Sequence, residues 1–165
     1  MNTNRTTREW PSLIAWGALV FVAAAAGTLA SLEAASFYAT LRRPEWAPPS
    51  WLFGPVWTVL YAAMAVAAWL VWRERTRTNT RVALGLFIVQ LALNALWSWL
   101  FFAWRLGAMA FADIVLMCVL VAATFVAFWR VRPLAGALLV PYLAWIVFAA
   151  ALNYTVWQRN PGLLG

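Results

Sequence analysis

Three stretches of the chain carry residues whose types and spacing could hold a molecule. Gln90, Asn94, Trp97 and Phe101 stand at i, i+4, i+7 and i+11, one face of a helix. Tyr142, Trp145, Ala149, Leu152 and Asn153 stand at i, i+3, i+7, i+10 and i+11, again one face, with a small residue at its middle. Trp57 and Tyr61 add a pair at i, i+4. Aromatic rings beside a few amides and hydroxyls suit stacking and oriented hydrogen bonding, the chemistry of a pocket for a flat apolar molecule. A cavity lined by Trp57, Tyr61, Asn94, Trp97 and Trp145, with Ala149 leaving room, is one reading. The other is that the same faces join helices through side-chain hydrogen bonds, each contributing about 0.6–2 kcal/mol in a membrane. Gln90 and Asn153 fit that role at least as well.

Much other chemistry is excluded. The chain has no histidine and one cysteine, Cys118. Zinc clusters, disulfide frameworks, Ser-His-Asp catalysis and histidine-ligated haem are therefore absent. No metal site and no obligatory cofactor is expected. Cys118 reads as a small apolar packing residue. Asp113 is the one acid inside an apolar run, and it reads either as a proton-relay candidate or as a bond to a neighbouring helix end. Among the 13 tryptophans, Trp10, Trp72, Trp104, Trp129 and Trp157 fall near the ends of apolar runs, where an interfacial belt is expected. Trp16 and Trp69 read as lipid-facing or packing. Trp46, Trp51, Trp57, Trp97 and Trp145 are the informative ones, because they fall on the polar faces or in a loop.

The elements that position these residues follow from composition. Of 165 residues, 65% are hydrophobic and 10% charged, against about 45–50% and about 25% in soluble domains. Mean hydropathy is +0.78. Roughly 20 apolar residues cross a bilayer as a helix, and five such runs are present, near Ser12–Leu32, Trp51–Trp72, Val82–Trp104, Ala108–Trp129 and Leu134–Trp157. The expected fold is an all-α membrane protein, a single domain over 1–165 with five transmembrane helices. The first run is too long for a secretory signal core and reads as a retained helix. Every connection is short except Glu33–Ser50, which holds Pro44, Pro48 and Pro49 with Trp46 and runs into Trp51. Stiff and aromatic, it reads as a lid over one end of the bundle.

All 12 basic residues are arginines, scattered between apolar runs, so they read as loop charges rather than a nucleic-acid surface. Arg5, Arg8, Arg73, Arg75, Arg77, Arg81, Arg130 and Arg132 fall on the amino-terminal face; Arg42, Arg43, Arg105 and Arg159 fall on the other. This excess places the amino terminus inside, in the cytoplasm if the membrane is a bacterial inner one.

The lid and second span read Phe37-Tyr38-Ala-Thr-Leu41-Arg-Arg43-Pro44-Glu-Trp46-Ala-Pro48-Pro49-Ser-Trp51-Leu-Phe53-Gly54-Pro55-Val-Trp57-Thr-Val-Leu60-Tyr61. With Gln90-Leu-Ala-Leu-Asn94-Ala-Leu-Trp97 and Pro141-Tyr142-Leu-Ala-Trp145 in that order, the chain resembles the TspO/MBR family of tryptophan-rich sensory proteins and translocator (peripheral benzodiazepine receptor) proteins. The resemblance runs from about Phe37 to Asn160. It implies a membrane homodimer whose first loop closes a pocket for porphyrins and isoquinoline-type drugs. The residues it implies for the pocket are Tyr38, Trp57, Tyr61, Asn94, Trp97, Ser98, Trp145 and Ala149. Helical spans this apolar favour a cytoplasmic membrane, while the family also occurs in outer membranes.

Three functions are compatible with it. A tetrapyrrole-binding protein would sense, sequester or pass on porphyrins, whose propionates could meet Arg42 or Arg43. A light-dependent porphyrin-degrading enzyme would use Trp57 and Trp145. A transporter is the third, although one intramembrane acid and no visible inverted repeat suit it poorly. Two departures from the family pattern stand out. Phe37-Tyr38 replaces a Trp-Tyr pair, and the carboxyl-terminal sterol-like stretch keeps Leu152, Tyr154 and Arg159 but has Gln158 where the animal proteins have arginine.

Overall fold

The computed structural model describes residues 10–165, and in it the five apolar runs are five long helices. The first span is α1, Trp10–Ala30. A short helix α2, Ala34–Thr40, follows, and a 3₁₀ turn at Ser50–Leu52 leads into α3, Phe53–Arg73. The third span is α4, Arg81–Ser98, continued by a π-helical turn at Trp99–Ala103. The fourth is α5, Gly107–Val131. The last joins the short α6, Pro133–Ala137, to α7, Val140–Arg159, and α8, Pro161–Leu164, closes the chain. Arg5 and Arg8 lie outside the described residues.

Several helix boundaries have a local cause. Pro133, Pro141 and Pro161 stand in the first turns of α6, α7 and α8, where a missing N–H costs nothing. Arg73, Arg130 and Arg159 sit in last turns, where a cation favours the negative end of the helix. The π turn is closed by Trp104 N–H donating to the Trp99 carbonyl and Leu106 N–H to that of Leu100, both 2.8 Å. Arg105 then turns the chain with φ of 57°, a left-handed conformation unusual for a side-chain-bearing residue. Its guanidinium lies 4.7 Å from the centre of the Phe37 ring, a contact that offsets part of that cost.

The chain is an integral multi-pass membrane protein. Ile14, Phe21, Val22, Val59, Val82 and Val119 are exposed on the flanks of the spans, as a lipid-facing surface requires. The interior packs α5 against α4 and α7, and α1 against α3 and α4. Its centre is Met64, Val71, Phe87, Ile114, Met117, Phe128 and Ile146, with Phe87 stacked on Phe128 at 5.7 Å. A second cluster lies under the lid, joining Phe37, Tyr38 and Leu41 to Leu100, Phe101, Leu152 and Val156.

The lid differs from a plain loop because it opens with α2. Phe37 and Tyr38 are buried on that helix, and Ser36 and Thr40 hydroxyls bond back to the Glu33 and Phe37 carbonyls. Trp16 is buried, edge-on to Trp72 and Phe87, so Trp16 packs in the core and Trp72 is half-buried with it. Trp157 is likewise half-buried, stacked on Phe111, whereas Trp10, Trp104 and Trp129 are exposed, as a belt would be.

Candidate functional site

Beneath the lid lies a cavity of about 530 Å³. Tyr38, Trp57, Tyr61, Asn94, Trp97, Ser98, Trp145 and Ala149 all line it, so the stripes on α3, α4 and α7 converge on one space. Trp46 and Trp51 do not line it. Trp46 is half exposed and meets the edge of Phe148 at 5.8 Å, while the 3₁₀ turn leaves Trp51 70% exposed. A proline-rich segment has no periodicity from which to read where a ring faces.

The first span contributes a wall that its apolar sequence concealed. Ala24, Gly27 and Thr28 of α1, with Ser31 just after it, line the cavity. A Cβ on Gly27 would stand 3.1 Å from Ser98 Oγ, so glycine is what lets α1 approach α4 there. The small and hydroxylated set Gly27, Thr28 and Ser31 is the signal that marks this wall. The exposed lining residues Thr28, Leu32, Ala35, Ser50, Gly54 and Thr58 come from α1, α2, the turns beside them and the start of α3. The mouth of the cavity therefore lies on that side.

Aromatic pairs build the other walls. Trp97 stacks on Phe101 at 5.2 Å and 14°, across the junction between α4 and the π turn. Trp57 lies against Tyr61 at 5.3 Å, and Trp145 against Phe148 at 5.4 Å. Behind them runs a chain of hydrogen bonds. Tyr61 Oη donates to Asn94 Oδ1 at 2.6 Å, Asn94 Nδ2 donates to Tyr142 Oη at 3.2 Å, and Tyr142 Oη donates to Gln90 Oε1 at 2.7 Å. Gln90, Asn94 and Tyr142 are all buried. Gln90 thus joins helices, and Asn94 both joins them and lines the cavity. Trp97 Nε1 donates to Asn153 Oδ1 at 2.9 Å, and Asn153 Nδ2 reaches the Gly107 carbonyl at 3.3 Å, so Asn153 ties α4 and α5 to α7.

Two buried polar atoms have no hydrogen-bond partner among the described residues, Trp145 Nε1 and Asp113 Oδ2. The second finds no bond at a neighbouring helix end. The first belongs to a ring in the cavity wall. Over the cavity, Tyr38 Oη donates to the Pro48 carbonyl at 3.1 Å. Burial pushes the Tyr38 phenol above its ordinary pKa, against the pull of Arg43, whose guanidinium lies 4.7 Å from its ring centre. Neither Arg42 nor Arg43 lines the cavity.

The TspO/MBR family model matches residues 15–158, which reaches all five long helices and takes in every wall of the cavity. The chain belongs to the TspO/MBR family. It is 46% identical to the human translocator protein over 135 residues, covering 81% of this chain and 80% of that protein. The tryptophan-rich protein TspO of Chlorobaculum tepidum is 41% identical over 146 residues, with coverage of 88% and 92%. Protein CrtK of Rhodobacter capsulatus is 40% identical over 145 residues, with coverage of 87% and 90%.

In this TspO/MBR chain the sterol-like residues do not form one surface. Leu152 lines the cavity, Tyr154 is half exposed against Phe111, and Arg159 bonds the lid. Trp97→Phe keeps the stack on Phe101 and removes the bond to Asn153. It is expected to lower stability in detergent by about 1–3 kcal/mol, because the buried Asn153 Oδ1 is left without its donor. A chemical-denaturation series on the two proteins measures it.

Proposed function

We propose that this TspO/MBR protein is a membrane-embedded binding protein for tetrapyrroles and similar flat hydrophobic ligands. The observation that carries the reading is a lidded cavity of about 530 Å³, within the size range of small-molecule sites, walled by aromatic pairs on three helices with Asn94 among them. Ring faces stack on a macrocycle, and the indole N–H of Trp145 is the donor left for a ligand acceptor. A homodimer belongs to this reading through the family resemblance. The amino terminus is taken as cytoplasmic in a bacterial inner membrane, since Arg73, Arg75, Arg77, Arg81, Arg130 and Arg132 outnumber the arginines of the lid end.

Titration of the purified protein with metal-free protoporphyrin, followed by tryptophan fluorescence, tests it. Saturable micromolar quenching is expected; linear quenching would mean partition into detergent and would remove the proposal. Haem is expected to bind no more tightly than the metal-free ring, because the chain has no histidine. Met117, a thioether in the cavity wall, already lies 3.8 Å from Tyr142 Oη. A ligated-iron absorption spectrum with tighter haem binding would contradict this.

A further inference from the structure

The lid between Leu41 and Pro49 has no regular secondary structure of its own, yet one point of it is held firmly. Arg42 N–H donates to Asn160 Oδ1 at 2.8 Å, and Asn160 Nδ2 donates back to the Arg42 carbonyl at 3.2 Å. A single side-chain amide thus satisfies both backbone groups of one lid residue, as a neighbouring strand would. The same Nδ2 also donates to the Val156 carbonyl at 2.7 Å, which fixes the amide to the last turn of α7. Asn160 is 6% exposed, so these bonds are shielded from water. Next to it, Arg159 Nη1 donates to the Arg43 carbonyl at 3.2 Å. Among the described residues, the hydrogen bonds from this stretch to distant parts of the chain all end on Asn160 or Arg159.

We propose that Asn160 is a positioning residue that latches the lid, whose two ends, α2 and Ser50, border the mouth of the cavity, so that ligand exchange waits for the Arg42–Asn160 tie to open. The proposal rests on the binding function argued above for its second readout only. Asn160 does not itself line the cavity; it meets the wall only through the main-chain carbonyl of Val156, so it acts on the rate through the lid and not through contact with a ligand. The lid's remaining anchors are the bond from Tyr38 Oη to the Pro48 carbonyl, which lies within the lid, and ring contacts to the spans, Tyr38 against Phe53 and Trp46 against Phe148, which tolerate sliding. A tie of this kind opens locally, without unfolding the spans.

The test uses the full chain in lipid nanodiscs, as wild type, Asn160→Ala and Arg159→Ala. Hydrogen exchange of the Arg42 amide, read by mass spectrometry without ligand, is expected to speed up about tenfold in Asn160→Ala while the spans stay protected. Arg159→Ala, which leaves the buried amide and the end of α7 intact, is expected to show the same change at about twofold. Dissociation of protoporphyrin, followed by stopped-flow fluorescence, is expected to quicken in the same order. Unchanged Arg42 exchange in Asn160→Ala would overturn the latch. So would faster exchange of the amide with an unaltered dissociation rate. If Asn160→Ala does not fold, Arg159→Ala decides, and no change there overturns the proposal. Faster Arg42 exchange in Asn160→Ala, with a wild type that binds no porphyrin, would support the tie and refute the binding function instead.

Discussion

Trp145→Ala is expected to weaken protoporphyrin binding about tenfold, equivalent to about 1.4 kcal/mol. The ring stands in the cavity wall on α7, against Phe53 at 5.9 Å and Phe148 at 5.4 Å. Alanine removes a stacking face and opens space that a planar ligand cannot fill. Trp145→Phe separates the two contributions of the residue. It keeps a ring but loses the indole N–H, which has no acceptor among the described residues and so costs nothing to the ligand-free protein. If a ligand oxygen or nitrogen takes that hydrogen, the phenylalanine variant loses most of the tenfold; if stacking dominates, it loses little. Fluorescence titrations of the three proteins, with the remaining tryptophans as reporters, read the difference.

Asn94→Leu is expected to lower stability by about 1–3 kcal/mol, although leucine fits the apolar composition of α4. Asn94 accepts from Tyr61 and donates to Tyr142. Leucine leaves the Tyr61 hydroxyl without its acceptor in a region with no bulk water, where an unmade hydrogen bond is costly. Tyr142 is spared, because its own hydrogen goes to Gln90. The double variant with Tyr61→Phe should therefore recover part of the loss, since it removes the orphaned hydroxyl. Thermal unfolding of the four proteins in one detergent closes the cycle, and strict additivity would show that the two residues are not coupled.

These partners explain how far the sequence could be read. Lipid demands about 20 apolar residues per crossing, so the five spans were legible to within two residues or so. The stripes on α3, α4 and α7 were legible because a helix repeats its faces regularly. Which residue bonds which was not. Nothing in the spacing of Tyr61, Asn94, Tyr142 and Gln90 says that they form one ordered chain across three helices. The helix α2 escaped because seven residues carry too little periodicity, and it is held by Phe37 and Tyr38 meeting distant rings. Asn160, lying between the last span and Pro161, resembles an ordinary helix stop. Its bonds to Arg42 join positions 118 residues apart, and no local pattern reports such a pairing.

The π turn at Trp99–Ala103 bears on how this chain can change its length. In the regular helix α4 ahead of it each residue advances about 100°, so one residue fewer there would turn every side chain after it by that angle. Phe101 and Phe102 would swing off the cavity, and Arg105 would lose the backbone geometry that sets it over Phe37. Side chains in α4 can be exchanged for others of similar volume, but an insertion or deletion there is a frameshift in space. The third span is free to vary in spelling and fixed in count.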